Sequence, residues 1–241
     1  MRTASDVSIS NACAITSNGL QIFYRDETQG ILLAAIDTQN GWVYEIVDGD
    51  RKSDGRTTGD VAFHLSAAAI GKTVYLLYDS VLTVSANQTP TEGEVRLASR
   101  NSIYPEDWKF VTADGPDAGV AVAGYGTTLS VVDKSLALAW LSANGDSLPY
   151  PDRLKFTTLD SIEVPAVIPT SNYGRPQLPL AIDAKGITYG CQDRICKSTN
   201  NSNVKIANGA TAITNSGAIL TIDKSRYFIT AIKSVLTAIK L

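Results

Sequence analysis

A segment that begins with glycine and ends with aspartate recurs along this chain, with β-favouring residues between the two. The copies are Gly19–Asp26, Gly71–Asp79, Gly126–Asp133, Gly186–Asp193 and Gly217–Asp223. A repeated unit constrains the fold strongly, because each copy has to bury its apolar face against neighbouring copies. The sequence therefore predicts β units packed side by side.

Other strand-like segments surround each copy in the same order. A strand rich in small residues precedes the glycine, at Cys13–Thr16, Phe63–Ile70, Val120–Gly124, Leu178–Ile182 and Ala210–Thr214. Another strand follows the aspartate, at Ile31–Ile36, Glu94–Ser99, Leu136–Leu141, Ile195–Ser198 and Tyr227–Ile232. A fourth closes the unit, at Trp42–Asp48, Trp108–Asp114, Lys155–Asp160, Val204–Ala207 and Leu236–Lys240. The first two closing strands both begin with tryptophan and end with Asp-Gly, which indicates a repeat rather than chance.

Four short strands in each unit of about 30 to 60 residues are typical of a β-propeller blade. We therefore predict an all-β chain that forms one domain over residues 1–241, with five blades of four antiparallel strands. The last two units are short, so four blades with a C-terminal extension is an alternative, as is a β-sandwich assembly. Apolar residues in Ser225–Leu241 recur four apart but also alternate, and we expect strands there.

One blade-like segment resembles a known class of proteins. In Tyr24–Trp42, Tyr-Arg-Asp is followed by an Ala-bearing strand and then by Gly-Trp. This order is similar to blades of fungal fucose-binding lectins and of sialidase-like and bacterial cell-surface propellers. The Asp-box pattern of sialidases, Ser-x-Asp-x-Gly-x-Thr-Trp, is absent from the sequence. The resemblance implies a secreted propeller and supports the fold more than any activity.

Composition excludes several function classes. The formal net charge of -3 provides no basic surface for nucleic acid, so we predict no nucleic-acid partner. The single histidine, His64, cannot build a multi-histidine metal site, although it could serve one Ser-His pair. Since it lies within the apolar run Val61–Leu65, a partly buried strand histidine is the favoured interpretation. No apolar run approaches 18 residues, so we expect no transmembrane segment.

Two of the three cysteines, Cys191 and Cys196, stand close enough for a local disulfide across a hairpin-like bend. Unpaired thiols are the alternative, and the spacing does not fit a zinc site. A disulfide would favour an oxidising compartment. With the resemblance to secreted propellers, this leads us to expect an extracellular or cell-surface protein. Met1–Ser10 lacks the features of a signal peptide, so we expect the mature form without a leader.

In a propeller, loops that follow the second strands and loops between blades share one face, where ligands usually bind. The residues expected there as ligand-binding candidates are Arg25, Asp26, Tyr78, Asp79, Asp133 and Asp193. Three long loops, Asp48–Asp60, Ser80–Gly93 and Ser161–Pro176, are expected on the same face. The repeated aspartates equally suit a structural role, since aspartate caps turns through its side chain.

No cofactor is predicted. The loop Asp48–Asp60 carries four aspartates that could hold calcium, but Lys52 occupies a ligand position and no glutamate closes the loop. A solvated polar loop is favoured. Among the tryptophans, Trp42 and Trp108 could stack on sugars, although packing between blades is favoured, and Trp140 is expected in the core.

Three functions remain open after these exclusions. The leading prediction is non-catalytic recognition of a glycan or a partner protein at the loop-bearing face. The first alternative is a glycoside hydrolase, which needs two carboxyl groups; candidates are Asp26, Asp79, Asp133 and Glu163. The second is a structural subunit of a surface or extracellular assembly. The sequence leaves the ligand and the oligomeric state open.

Overall fold

A computed structural model describes residues 7–17, 19–51, 54–101, 107–144, 148, 150–168, 175–191, 194–199, 202–207, 213–222, 225–232 and 235–240. Within these residues the regular structure is β-strand, apart from two 3-10 turns at Pro116–Ala118 and Leu159–Ser161. The all-β prediction is confirmed. In these ranges no helix reaches the length and apolarity needed to cross a membrane.

The described strands form five antiparallel meanders, in which each strand pairs with the next. The first contains β1 (Val7–Thr16), β2 (Gly19–Asp26), β3 (Ile31–Thr38) and β4 (Gly41–Asp48). The second contains β5 (Asp60–Ile70), β6 (Thr73–Val84), β7 (Pro90–Asn101) and β8 (Lys109–Asp114). The third contains β9 (Val122–Val132), β10 (Ser135–Ala143), β11 (Arg153–Thr158) and β12 (Ala166–Ile168). The fourth contains β13 (Pro176–Asp183), β14 (Gly186–Cys191), β15 (Arg194–Thr199) and β16 (Ser202–Ala207).

The fifth meander has three strands in the described part of the chain: β17 (Ile213–Ile222), β18 (Ser225–Ile232) and β19 (Val235–Lys240). The strand prediction for the segment after Ser225 is thus confirmed. The first strands contact one another in chain order, β1 with β5, β5 with β9, β9 with β13, and β13 with β17. One parallel bridge, between Gly93 and Val122, joins the second and third meanders into an eight-stranded sheet.

Each first strand has a register shift near its start. In four meanders, three residues of the first strand stand opposite one residue of the second strand. The three-residue bulges are 8–10 in β1, 62–64 in β5, 124–126 in β9 and 214–216 in β17. In β13 the two residues 178–179 are inserted at the equivalent place. Since a bulge bends a strand and re-aims its side chains, it provides a place for polar groups beside an otherwise regular sheet.

In the third and fifth units, the predicted glycine-to-aspartate segment lies in the first strand of the meander and not in the second. Gly19–Asp26 coincides with β2 and Gly71–Asp79 lies along β6, both of which are second strands. Gly126, in contrast, belongs to the bulge of the first strand β9, and Asp133 lies in the turn between β9 and β10. Gly217 likewise lies in the first strand β17. A glycine that suits a bulge cannot be told by sequence from one that suits a hairpin turn.

Two of the three predicted long loops contain strand structure. In Ser80–Gly93, β6 continues to Val84 and β7 begins at Pro90, so the segment is a projecting hairpin, here called the hairpin arm (residues 81–91). Its tip is closed by two backbone hydrogen bonds, from the Ser85 amide to the Thr89 carbonyl and from the Gln88 amide to the Ser85 carbonyl. The segment Ser161–Pro176 contains β12.

A buried carboxylate stabilises the interface between the first and second meanders. Asp48, the last residue of β4, accepts hydrogen bonds from the Tyr78 hydroxyl at 2.6 Å and from Arg96 Nε at 2.9 Å. The backbone amides of Gly49 and Thr57 also donate to it, each at 2.7 Å. Burial and the neighbouring Asp48 carboxylate raise the pKa of Tyr78.

The same arrangement recurs at the next interface. Asp114, the last residue of β8, accepts hydrogen bonds from Trp140 Nε1 at 2.7 Å and from Lys155 Nζ at 2.8 Å. Trp140 and Lys155 are paired across β10 and β11, as Tyr78 and Arg96 are across β6 and β7. The Asp-Gly ending of the first two closing strands therefore reflects a repeated contact between meanders.

The tryptophans and cysteines follow the predictions with one exception. Trp108 is buried against the edge of Phe23, with ring centroids 6.0 Å apart, so it packs between meanders as expected. Trp140 is fully buried and belongs to the core. For Trp42 the packing prediction is wrong, because 44% of the residue is exposed on β4. The predicted disulfide between Cys191 and Cys196 is confirmed and links β14 to β15.

Candidate functional site

A cleft of about 650 Å³ opens between the second and third meanders. Its lining comes from the bulge of β5, the hairpin arm and the first residues of β9. It lies at the end of the meanders where the second strands finish and the loops between meanders run, here called the loop-bearing end. The connections there are the ones that the sequence predicted to carry function.

The base of the cleft holds a histidine–aspartate pair. Asp79 is the single residue of β6 that faces the three-residue bulge of β5, and His64 is the last residue of that bulge. One carboxylate oxygen of Asp79 accepts the His64 backbone amide at 2.8 Å, and the other lies 3.1 Å from His64 Nδ1. The bulge thus turns the histidine side chain toward Asp79.

Opposing effects set the ionisation of His64. Its burial lowers the pKa, because a charged imidazole loses solvation there. The charge and hydrogen bond of Asp79 raise the pKa, as does a hydrogen bond to the Gly124 backbone, and these effects prevail. The pKa of His64 therefore lies above its ordinary value of 6.5.

Two unusual backbone conformations lie beside this pair. Ala62, in the β5 bulge, has a φ of 63°, which costs about 1 kcal/mol for a residue with a side chain. Gly124, in the β9 bulge, has a φ of 97°. A Cβ atom at Gly124 would lie 2.5 Å from the Cβ of Asp79. Glycine at this position lets β9 approach the carboxylate closely.

A second carboxylate, Asp60, lines the cleft from the first position of β5. Its side chain is 48% exposed, and Arg25 Nη1 approaches it at 2.8 Å. Arg25 comes from the first meander, is buried, and also binds Glu27 at 2.7 Å and the Val61 carbonyl. The ion pair with Asp60 therefore connects two meanders at the edge of the cleft.

Apolar and aromatic side chains complete the walls. Phe63, from the β5 bulge, is 42% exposed, and the Arg25 guanidinium lies 3.8 Å from the centre of its ring. Leu82 and Val84 of the hairpin arm are also exposed into this region. Tyr125, in the β9 bulge, lines the cleft, and its buried hydroxyl has no hydrogen-bond partner within the described residues. Burial raises the pKa of this hydroxyl.

The structure places the predicted ligand-binding residues in different environments. Asp79 lines the cleft and Arg25 lies just behind it. Asp26 is fully buried, and its carboxylate accepts the amides of Thr28 and Gln29, which is the turn-capping role considered from sequence. Tyr78 is also fully buried, with its hydroxyl bound to Asp48, so it has no surface to offer a ligand.

Asp133 does not share a face with Asp26 and Asp79, contrary to the prediction. It lies in the turn between a first and a second strand, at the end opposite the loop-bearing end, because the repeat is out of phase there. Glu163, between β11 and β12, is exposed at that opposite end as well. The remaining candidate, Asp193, and the repeated aspartate Asp223 lie outside the described residues.

The sequence prediction did not include Asp60 and His64 among the site residues. Asp60 closes a polar loop and looks solvated, while His64 lies in an apolar run and looks structural. The sequence signal that could have identified them is their position. Asp60 directly precedes the apolar run Val61–Leu65, and His64 is a polar residue within that run. Their joint role depends on the bulge, which sequence alone does not show.

The carboxylates of the loop Asp48–Asp60 are held by arginines instead of facing one another. Arg56 lies 3.0 Å from Asp50 and 3.3 Å from Asp54. Asp48 binds Arg96, and Asp60 binds Arg25. In the described ranges, no three histidine, cysteine or acidic side chains are grouped as metal ligands would be.

Comparisons with known proteins identify the fold class. No protein-family model matches the sequence, and none of the curated proteins compared with it is significantly similar. An α-L-arabinofuranosidase from Lactobacillus brevis is similar in structure over 95% of this chain and 85% of that one, with a TM-score of 0.55 and 9% identity. A Trypanosoma rangeli sialidase mutant displaying trans-sialidase activity is similar with a TM-score of 0.58 and 12% identity. The match covers 91% of this chain and 42% of the sialidase.

A puromycin-hydrolysing peptidase from Mycobacterium tuberculosis is similar to the same degree, with a TM-score of 0.54 and 11% identity. It matches 95% of this chain, which spans 36% of the peptidase. Since glycosidases and a peptidase share the arrangement, the likeness shows the fold and not a reaction. The described strands share the all-β, propeller-like arrangement of these proteins.

Proposed function

We propose that this chain binds a glycan in the cleft between the second and third meanders. The observation that carries the proposal is the combination of two carboxylates, Asp60 and Asp79, with the exposed ring of Phe63 in one cleft. The similarity to an arabinofuranosidase and a sialidase supports it, because both of those proteins act on sugars.

The chemistry of the cleft suits a sugar ring. A carboxylate accepts hydrogen bonds from hydroxyl groups, and Asp60 has half of its side chain free to do so. The C–H face of a sugar is apolar and can lie against an aromatic ring such as that of Phe63. A volume of about 650 Å³ lies within the range of small-ligand sites and holds a short oligosaccharide.

A glycan array followed by calorimetry with the selected sugar tests the proposal. We expect Asp60→Asn and Phe63→Ala each to weaken binding at least about tenfold, the equivalent of 1.4 kcal/mol. Val131→Ala is the matched control, because Val131 is equally exposed (42%) but lies near the opposite end of β9. An array without binding, or a sugar whose affinity none of the variants changes, would overturn the proposal.

Glycoside hydrolysis is the second candidate, favoured by the placement of the two carboxylates. Asp60 is opposite Val81, two residues from Asp79, so both aspartates are on the same face of the sheet. The Cα atoms of diagonal neighbours of this kind lie about 7–8 Å apart, which is compatible with the carboxyl separations of roughly 5–10 Å that glycosidases use. The Asp26, Asp133 and Glu163 candidates do not contribute, so the pair we propose is Asp60 with Asp79.

Turnover of aryl glycosides distinguishes this candidate from binding alone. If the chain is a hydrolase, wild-type protein releases the aryl group, and Asp60→Asn and Asp79→Asn each lower kcat by at least about a hundredfold. The same variants would leave the background rate unchanged if the chain only binds. Absence of turnover for every sugar that binds the cleft would reject hydrolysis and leave recognition.

We further propose that the five meanders are the blades of a single propeller. The successive contacts of the first strands and the bulge near the start of each first strand support five equivalent units. The disulfide between Cys191 and Cys196 supports an extracellular or cell-surface location, because such bonds persist in oxidising surroundings.

A further inference from the structure

The hairpin arm gives the cleft an apolar wall beyond its polar base. Leu82 and Val84 are 36% and 46% exposed, and both line the cleft together with Pro90. Val84 stands opposite Pro90 across the arm, so the two form a cross-strand apolar pair. Thr83 lies between them in sequence, and its hydroxyl is bonded within the arm, to Thr91 at 2.8 Å. Apolar side chains exposed together in a cleft are a common feature of ligand sites.

A bulge turns this wall toward the aspartates at the base. The register shift between Val81 and Thr83 leaves Leu82 as an extra residue of β6. In a regular strand Leu82 and Val84 would face away from Asp79, because successive side chains alternate between the two faces. One inserted residue reverses the alternation beyond it, and both side chains therefore line the same cleft as Asp79.

Close packing on the preceding loop holds the start of the wall in place. A Cβ atom at Gly59 would lie 3.2 Å from Leu82 Cδ2 and 2.7 Å from the Val81 carbonyl oxygen. Gly59 directly precedes Asp60 in the chain. The wall therefore begins beside the carboxylate that we assign to sugar binding and continues away from it.

One sugar ring cannot cover both the base and the wall. Successive residues of a strand are about 3.3 Å apart, so Leu82 and Val84 lie about 10 Å and about 17 Å beyond Asp79 along β6. A ring that lies on Phe63 beside Asp60 is much shorter than this span. A second hydroxylated ring would lose hydration against the two apolar side chains and gain few hydrogen bonds there.

We propose, on the basis of the glycan-binding function above, that the cleft recognises a glycoside with an apolar substituent. The sugar lies against Phe63 and donates hydroxyls to Asp60, and an alkyl, acyl or aryl group continues along Leu82 and Val84. Binding removes the apolar surfaces of this group and of the wall from water, so the group adds affinity that the sugar alone lacks. The hairpin arm thus selects among ligands that carry the same sugar.

Matched glycosides test the inference. Glucose, galactose and arabinose, with any other sugar that the glycan array selects, are each prepared as the methyl and the hexyl glycoside. Calorimetry with the full chain measures both affinities below the micelle concentration, with hexanol as the sugar-free control. For each sugar that binds, we expect the hexyl glycoside to bind at least about tenfold more tightly than the methyl glycoside. Equal affinities would overturn the inference.

Substitutions on the arm show where the added affinity arises. Val84→Thr keeps the shape of the side chain but makes it polar, and Leu82→Thr is the second variant. We expect each to lower the hexyl-to-methyl affinity ratio at least about threefold. Asp60→Asn should weaken both glycosides by a similar factor, because it acts on the sugar. Val131→Thr is the control, since Val131 is 42% exposed near the opposite end of β9, and it should keep the wild-type ratio. A wild-type ratio in both arm variants would show that the apolar group lies elsewhere.

The two proposals fail differently. If no sugar binds in either form, the glycan-binding function is wrong, and this inference is overturned with it. If methyl glycosides bind and their hexyl counterparts bind no better, the cleft is a glycan site and only the apolar substituent is wrong. If hexanol binds as tightly as the hexyl glycosides and Asp60→Asn changes neither, the sugar takes no part and both proposals are wrong.

Discussion

At the scale of single residues, the most informative group is the only histidine of the chain. His64 occupies the last position of a three-residue bulge, and the residue opposite that bulge is Asp79. The sequence predicts Asp79 as a site residue because it recurs at a strand end. It cannot predict the partner, because the pairing depends on an extra pair of residues in β5 that has no recognisable sequence signal.

The ionisation of His64 is directly measurable, since no other imidazole contributes to the NMR spectrum. We expect a pKa above 6.5 in the folded protein, and a lower pKa in Asp79→Asn, where burial acts without the carboxylate. The measurement is a titration of the imidazole carbon-bound protons. A wild-type pKa below 6.5 would contradict the described pair.

The same shift makes stability depend on pH. Because the folded pKa is raised, the contribution of the pair is fully present below pH 6.5 and is lost as the pH rises through the folded pKa. The free energy of unfolding, measured by urea denaturation, should therefore decline over that interval. In His64→Gln the contribution of the His64–Asp79 pair to this decline should disappear, while the contribution of other titrating groups should persist.

At the scale of structural elements, the meanders are joined by residues that terminate their fourth strands. Asp48 and Asp114 occupy equivalent places and bind an aromatic donor and a cation of the next meander. The sequence predicts these elements well, since the Trp-to-Asp-Gly pattern marks β4 and β8 correctly. It misplaces the third unit, because Gly126 belongs to a bulge and not to a hairpin turn.

Removal of one such carboxylate should be costly. In Asp48→Ala, Tyr78 and Arg96 lose a shared buried acceptor, and we expect the free energy of unfolding to fall by about 3 kcal/mol. Asp37→Ala is the control, because Asp37 is exposed on the neighbouring strand and should change stability by less than about 0.5 kcal/mol. Equal, small losses in both variants would show that Asp48 does not stabilise the interface.

At the scale of the whole molecule, the first strands lie side by side in chain order, and the fifth meander extends the series. The architecture was predictable in outline because strand-forming segments and turn residues alternate throughout the sequence. The cleft was not, because its walls come from two meanders and from a hairpin arm that the sequence presents as a loop. A role as a structural subunit stays a prediction, which light scattering at high concentration can test.

Truncation distinguishes five blades from four blades with an extension. If the fifth meander is a blade, deletion of residues 213–241 exposes the faces of two neighbours, and the remainder should lose its cooperative thermal transition. If residues 213–241 are only an extension, the shortened chain should melt close to the temperature of the full chain. Circular dichroism and calorimetry on both chains provide the comparison.

The central claim is that sugars bind beside His64 and Phe63. The histidine signal reports on it without any label, because it arises from a single residue at the base of the cleft. Titration with the sugar selected by the array should shift the His64 imidazole resonances until they saturate, and Phe63→Ala should abolish the shift. A sugar that binds with calorimetric affinity while the His64 resonances stay in place would contradict the claim.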